Sequence, residues 1–399
     1  MAGPPRRPPR IAIAGAGVFG AAASLELRRR GWEVVLLDPE APPAPRAAST
    51  DVSKVVRREY GSDRFYLELA SEAIEGWRRW NAEWPEPLYH ETGVLVLGLL
   101  DSEAPLEGSG FTADSWRSLL AAGCTPERLD GGELAARFPA WSAGHVRGGF
   151  FHRAAGWAES GRVVARLVEL ARAAGVVVRR EAVIGLLEDD RGVRGLRGAA
   201  GEVAADHTLL AAGVWTPRLG GLEWGMWPTA HPVFHLRPSD PEPFRAERFP
   251  VFLSDIASSG WYGFPLHPRE GVVKVARHGL GRRVDPDVER AVTPEEEEAL
   301  RAFLAESLPE LAGAPVVASR SCLYCDTADG HFWIDRDPAR DGLTVASGGS
   351  GHAFKFAPVL GGLIADAVEG RESRWLPRFS WRREARPFAS EEQARAGRA

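Results

Sequence analysis

Arg10-Ile-Ala-Ile-Ala-Gly15-Ala-Gly17-Val-Phe-Gly20 is the stretch on which the fold turns. Ile11 to Ala14 read as a short apolar strand, and the Ala-rich run after the glycines reads as a helix ending at Gly31. A second apolar strand, Glu33 to Leu37, ends in Asp38, 23 residues after Gly15. Together these make a complete βαβ opening. The glycines permit a tight turn and close backbone approach to a pyrophosphate, the helix N-terminus faces the phosphate charge, and an acid at this spacing reaches a ribose hydroxyl. Gly15, Gly17, Gly20 and Asp38 are therefore expected to bind a dinucleotide.

Working outward, Phe65 to Trp80 reads as a helix and Gly93 to Leu99 as a strand. Gly161 to Ala174 reads as a helix leading into a strand at Val176 to Val178, and Thr208 to Ala212 as another strand before Gly213-Val-Trp215. Short strands and prolines fill the chain to about Val317. A last strand, Leu343 to Ser347, precedes the loop Gly348-Gly-Ser-Gly351 and a helix from about Pro358 to Val368. The expected class is α/β. A Rossmann-like domain is assembled from discontinuous segments, 1–85, 155–217 and 318–399, and an α+β, mixed-sheet substrate domain is inserted at 86–154 and 218–317.

The 399 residues are 44% hydrophobic and 26% charged, with a formal net charge of −5, as in an ordinary soluble globular chain. With acids and bases interspersed, no footprint for nucleic acid or an anionic membrane is expected, and no metal. Met1 to Arg10 lacks the apolar core of a signal peptide, and no stretch offers 18 uncharged apolar residues, so a cytoplasmic protein is expected, as a monomer or small homo-oligomer. An odd set of three cysteines, Cys124, Cys322 and Cys325, suits a reducing compartment. Only three lysines occur against 46 arginines, at Lys54, Lys274 and Lys355. Under such a bias, surviving lysines mark places where a compact ammonium resists replacement by a guanidinium fork.

Several motifs resemble the monomeric sarcosine oxidase family of the D-amino acid oxidase superfamily. They are Ser49-Thr-Asp-Val-Ser-Lys-Val-Val-Arg-Arg-Glu-Tyr60, Arg320-Ser-Cys322-Leu-Tyr324, Asp329-Gly-His331-Phe-Trp-Ile-Asp335 and Gly348-Gly-Ser-Gly-His-Ala-Phe-Lys-Phe-Ala-Pro358. Tyr262-Gly-Phe-Pro265, followed by Lys274 and His278, is similar to the family's active-site hairpin. The resemblance spans Ile11 to about Gly370 and implies FAD, covalently tethered through Cys322, with Ser49, Lys54, Gly349, Gly351 and Lys355 also at the cofactor. It implies that Arg57 and Lys355 grip a substrate carboxylate, that Lys274 activates oxygen, and that His278 and Tyr262 lie on the substrate side. The implied reaction oxidises an N-methyl, cyclic or other amino acid by hydride transfer to flavin N5, with O2 reoxidising the flavin to hydrogen peroxide.

Each residue also has a plainer reading. Cys322 is a buried apolar cysteine, Cys325 is packing, and Arg57 is a solvated charge in the cluster Arg57-Arg58-Glu59. Trp224, Trp227 and Trp261 wall an aromatic pocket or, more ordinarily, pack a core. Two functional alternatives share the fold. Fructosyl amino acid oxidases carry a glutamate where His278 stands, but Ser53-Lys54 resembles their sequence and Thr50 replaces a histidine expected in sarcosine oxidases. A biosynthetic dehydrogenase would pass its electrons to another acceptor.

Overall fold

The computed structural model describes residues 7–99, 106–288 and 291–384. The first residues of the N-terminal reading and the last of the third expected dinucleotide-domain segment lie outside these. Within them the chain forms two compact units, one from 7–51, 160–228 and 324–384, the other from 52–159 and 229–323.

The first unit is built on a six-stranded sheet. The strand Arg10–Ala14 is central, parallel to Glu33–Asp38 on one side and to His207–Leu210 on the other. Val177–Arg180 and Leu343–Ser347 extend it in parallel, and Trp333–Arg336 closes one edge antiparallel. Ile11 to Ala14 and Leu36 and Leu37 are wholly buried, because helices pack on one face and a three-stranded antiparallel sheet, Val183–Asp189, Gly192–Gly198 and Gly201–Ala204, covers the other, leaving no position for polar alternation. The helices Val18–Arg29 and Ala357–Glu369 pack together in this unit. Their contact is close because Gly361 has no Cβ, which would lie 2.7 Å from the Ala22 carbonyl oxygen.

The second unit is built on a nine-stranded, largely antiparallel sheet. Its strands include Val94–Leu99, Val146–His152, Val251–Ser254, Trp261–Gly263 and Val273–Arg277, with most of Met226–Leu236 and of Val316–Thr327. The pairs Leu97↔Gly149, Leu253↔Val96, Leu253↔Tyr262, Tyr262↔Ala276 and Val233↔Ala276 set the register. Because strand side chains alternate, that register decides which residues share a face. One face carries Leu95, Leu97, Phe151, Phe234, Leu236, Phe252, Trp261, Val273 and Val275, which form the hydrophobic core with the helix Pro294–Ser307. The other face carries His152, His231, His235, Tyr262 and Lys274 among buried apolar residues, Val94, Val96, Phe150, Val233, Val251, Leu253 and Ala276.

The first division of the chain falls at residue 51, ahead of the expected 85. Lys54–Val56 pairs with Gly156–Ala158, and Tyr89–His90 pairs with the same strand, so everything from 52 is tied into the second unit. The helix Arg64–Glu83 goes with it, capped by Asp63, whose carboxylate accepts from the Tyr66 N–H, and buries Tyr66, Leu69, Ala70, Ala73, Ile74 and Trp77. No helix among the described residues is long and apolar enough to cross a membrane.

Candidate active site

In the first unit the glycine loop has the geometry its spacing requires. Gly15 takes φ +97°, and a Cβ on it would lie 2.6 Å from the Ala211 carbonyl oxygen. A Cβ on Gly20 would lie 1.9 Å from the Gly15 oxygen, so only glycine lets the helix start this close to the turn. Gly17 caps Val18–Arg29 and has no side chain of its own to accept from the first amides, an N-terminus of the kind that receives phosphate. Ser49 borders this space: its Oγ accepts from the Val18 N–H at 3.2 Å.

Asp38 ends its strand as expected, and its carboxylate already braces the loop. One oxygen accepts from the Ala16 N–H at 2.8 Å and the other from the Glu40 N–H at 3.0 Å. Burial raises its pKa against these hydrogen bonds. A carboxylate has about four acceptor positions, so two remain for a ribose. The cradle, the bare helix end and the acid fit a dinucleotide.

At the second loop the backbone turns through Gly348, Ser350 and Gly351, with φ of +68°, +44° and +78°. A Cβ at Gly351 would sit 2.2 Å from the Tyr324 ring, so the loop is drawn down onto that ring. The helix begins at Ala357, one residue before the expected start, and a 3-10 turn, Phe354–Phe356, joins it to the loop. Some loop amides are also spent internally: Ser350 N–H donates to the Cys325 carbonyl at 3.0 Å and His352 N–H to Gly349 at 2.9 Å. Lys355 is buried within this turn, 3% exposed, with Nζ donating to the His352 carbonyl at 3.2 Å.

In the second unit the polar face of the large sheet gathers the other predicted residues. Lys274 is 1% exposed; its Nζ donates to the Ser53 carbonyl at 2.6 Å and lies 4.7 Å from the centre of the Phe264 ring. His278 follows the same strand and donates its backbone N–H to Gly260 at 2.7 Å, while its imidazole stands edge-on to Tyr262 with centroids 6.4 Å apart. Lys54 is next to Ser53, and its Nζ lies 3.6 Å from the Cys322 Sγ. Lys274, Ser53, Lys54 and Cys322 thus form one continuous line of contacts.

Cys322 and Cys325 share the strand Val316–Thr327, and their odd spacing puts them on opposite faces. Cys325 Sγ meets the Ser347 hydroxyl at 3.5 Å, and burial pushes its thiol up to about 11. A thiol so raised is a poor nucleophile, consistent with packing.

Arg57 is not a solvated charge. It is 3% exposed, with its guanidinium carbon 5.2 Å from the Tyr60 ring and 5.5 Å from the Phe111 ring. Its Nε and Nη1 are buried and donate no hydrogen bond to the protein. Glu59, in the same cluster, is wholly buried and bonded to His152, a partnership no local pattern announces because the two residues are distant in sequence. Trp224 and Trp261 have different settings. Trp224 is 48% exposed on the first unit against Trp333, whereas Trp261 stacks on Phe303 in the core of the second.

The chain is 28% identical over 382 residues to monomeric sarcosine oxidase of Bacillus sp. (strain B-0618), covering 94% of this chain and 96% of that one. It is 30% identical over 367 residues to N-methyl-L-tryptophan oxidase of Salmonella heidelberg (strain SL476), covering 90% and 95%. Among solved structures it matches the deglycating fructosamine oxidase Amadoriase II of Aspergillus fumigatus with a TM-score of 0.82 and 26% identity, over 96% of this chain and 91% of that one. The family model for FAD dependent oxidoreductases, DAO, matches residues 10–367, and the chain belongs to that family.

Proposed function

We propose that the chain is an oxidase of carboxylate-bearing amines, such as N-methyl, cyclic or other amino acids, acting in the cytoplasm. The observation that carries this reading is the pair of buried cations in the second unit, Arg57 and Lys274, in a family that binds FAD. Bound FAD accepts the hydride equivalent from the amine-bearing carbon and passes electrons to O2, yielding hydrogen peroxide. Gly15, Gly17, Gly20, Ser49 and Asp38 hold its dinucleotide portion. Gly349 and Gly351 let their loop approach it, and Lys54, Lys355 and Cys322 complete its surroundings.

Arg57 and Lys355 hold the substrate carboxylate, the guanidinium offering two parallel donors and the ammonium a point charge. His278 and Tyr262 bound the substrate and orient its amine, and burial of the polar face excludes water. Lys274 supplies fixed positive charge where O2 takes up its first electron, which favours an oxidase over a dehydrogenase using another acceptor. Cys322 is the covalent attachment point, a reading supported by its burial and by the Lys54 Nζ 3.6 Å from its Sγ. Histidine at 278 favours amino acid substrates over fructosyl ones, whose oxidases carry a glutamate there.

A screen of N-methyl, cyclic and fructosyl amino acids for peroxide release under air tests the reading. Amino acids should release peroxide and their decarboxylated amines should not; equal turnover of both, or flavin bleaching by an amine without peroxide, would overturn it. For the tether, acid-precipitated protein should remain yellow, with FAD released in Cys322→Ser and retained in Cys325→Ser. Free FAD in the wild-type supernatant removes the tether from the proposal.

A further inference from the structure

The last described stretch of the chain lies beyond residue 367, where the family match ends, yet its side chains reach back to the turn that follows the strand Val316–Thr327. Arg382 and Asp329 form a buried ion pair there, their side chains 7% and 1% exposed. A guanidinium has five N–H donors in a fixed plane, and here all five are engaged. Nε and Nη2 each donate to one Asp329 carboxylate oxygen at 2.6 Å, Nη2 also to the His331 carbonyl at 2.9 Å, and Nη1 to the carbonyls of Phe332 at 3.1 Å and Ser380 at 3.2 Å. Two neighbours reinforce the grip. The Trp381 N–H donates to Asp335 Oδ2 at 2.7 Å, and the wholly buried Phe379 stacks on Phe332 with centroids 5.0 Å apart. Apolar residues of similar volume would close such a seam as well as a buried ion pair does, so a planar five-donor clamp points to a demand for orientation.

What the clamp holds is the seat of the second glycine loop. Asp329 also accepts from the His331 N–H at 3.1 Å, and the Thr327 hydroxyl donates to the His331 carbonyl at 2.8 Å, so residues 327–332 are fixed as one turn. Gly348 packs against that turn: a Cβ on it would lie 2.5 Å from Thr327 Cγ2. The Thr327 N–H donates to Ser350 Oγ at 3.2 Å, and His352 Nε2 donates to the Gly330 carbonyl at 3.0 Å. The His352 carbonyl in turn receives the Lys355 ammonium at 3.2 Å. A path of hydrogen bonds and short backbone steps therefore runs from Arg382 through residues 329–331 to His352 and Lys355, all within the first unit.

We infer that Arg382 is a positioning residue: it fixes the turn 327–332, and through that turn the loop 348–352 and the Lys355 ammonium. For the ammonium this rests on the reading of Lys355 as a carboxylate-binding residue; for the loop it does not. A role confined to stability would raise motion throughout the first unit, whereas positioning changes only what lies between the clamp and Lys355.

The test compares holoenzymes by amide hydrogen exchange and by binding of acetate and acetamide, read from the absorbance of the bound flavin, so that no turnover is needed. Arg382→Lys keeps the charge but offers three donors from a point in place of a planar five. Amides of 348–356 should exchange roughly tenfold faster, while those of Arg10–Ala14 keep the wild-type rate. Acetate binding should weaken roughly five- to tenfold with acetamide unchanged, the size of one hydrogen bond's net contribution. Asp329→Asn keeps an acceptor for the His331 N–H and removes the charge. It should shift both readings in the same direction by less, and serves if Arg382→Lys does not fold. If exchange in 348–356 stays at the wild-type rate, or rises equally in Arg10–Ala14, the positioning role is overturned. If loop exchange alone rises but the acetate preference is kept in full, the inference is overturned for the ammonium. If the wild type itself shows no preference for acetate over acetamide, the reading of Lys355 fails, and the exchange rates distinguish that from failure of the clamp.

Discussion

The two large sheets put functional residues in different places, and the difference follows from how each is covered. In the six-stranded, mainly parallel sheet the central strands are buried on both faces and mostly apolar, so the candidate residues stand at or beyond the strand ends: Gly15 after Arg10–Ala14, Asp38 at the close of Glu33–Asp38, and Gly348 after Leu343–Ser347. In the nine-stranded sheet one face is core and the other mixes buried apolar residues such as Val94, Val96 and Leu253 with His152, Tyr262 and Lys274, so Lys274 sits between Val273 and Val275, on the same strand but on the opposite face. A parallel sheet offers its edge and an antiparallel sheet offers its alternate positions. Neighbouring residues in the second unit can therefore have unrelated jobs.

That separation is open to direct test, beginning with its apolar side. Phe252 is wholly buried against Trp141 and Phe249. Phe252→Ala should cost about 3–5 kcal/mol of stability, read by denaturant unfolding, while any protein that folds keeps its ligand preferences. On the polar side, Lys274→Met should leave the unfolding midpoint unchanged or raised, because an apolar side chain replaces a buried charge. Its reduced form should be reoxidised by O2 a few hundredfold more slowly, equivalent to roughly 3–4 kcal/mol, in stopped-flow mixing with aerated buffer. Wild-type reoxidation would remove the lysine from the oxygen reaction.

Within the parallel sheet a buried histidine, His207, is held neutral. Burial, aided by the charge of Arg336, holds His207 down at about 4, and its Nε2 lies 2.8 Å from the Thr344 hydroxyl. A histidine with a depressed folded pKa contributes stability that is complete above about pH 6.5 and is lost as pH falls towards 4. The loss should be on the order of 2–3 kcal/mol, and His207→Gln should flatten this part of the stability profile. A profile unchanged by the substitution would assign the acid sensitivity elsewhere. The smallest expected effect is at Arg57. Arg57→Lys keeps the charge and loses the fork, so KM for an amino acid should rise about tenfold, or about 1.4 kcal/mol, with the decarboxylated amine unaffected.

What could be read in the sequence follows the same division. The βαβ opening was legible because strand, glycines, helix and acid are contiguous and each glycine answers a local contact. Lys274 and Lys355 stood out through the scarcity of lysine, and both are buried. The nine-stranded sheet was not legible as a sheet, because pairs such as Leu253↔Val96 and Val233↔Ala276 join distant segments. For the same reason His152 and Glu59 went unseen. Arg57-Arg58-Glu59 reads as a solvated run until the strand that buries it is placed, and the chain leaves the first unit at residue 51 because Lys54–Val56 finds its partner at Gly156–Ala158.

The interleaving of the two units has a consequence for how the chain is made. Arg10–Ala14 is synthesised early, but its neighbour His207–Leu210 emerges only after the first long stretch of the second unit, and the strand beyond that, Leu343–Ser347, after the second stretch. Neither unit can finish during synthesis without sequence from both sides of the other. Their native contacts have high contact order, which slows folding and leaves unpaired strand edges exposed on the nascent chain. A fragment ending before Leu343 would hold His207–Leu210 with one edge bare, a template for pairing with a second chain. The arrangement ties the glycine cradle to the completion of nearly the whole polypeptide, so a ribosome-stalled or truncated product is more apt to aggregate than to persist as a half-built flavoprotein.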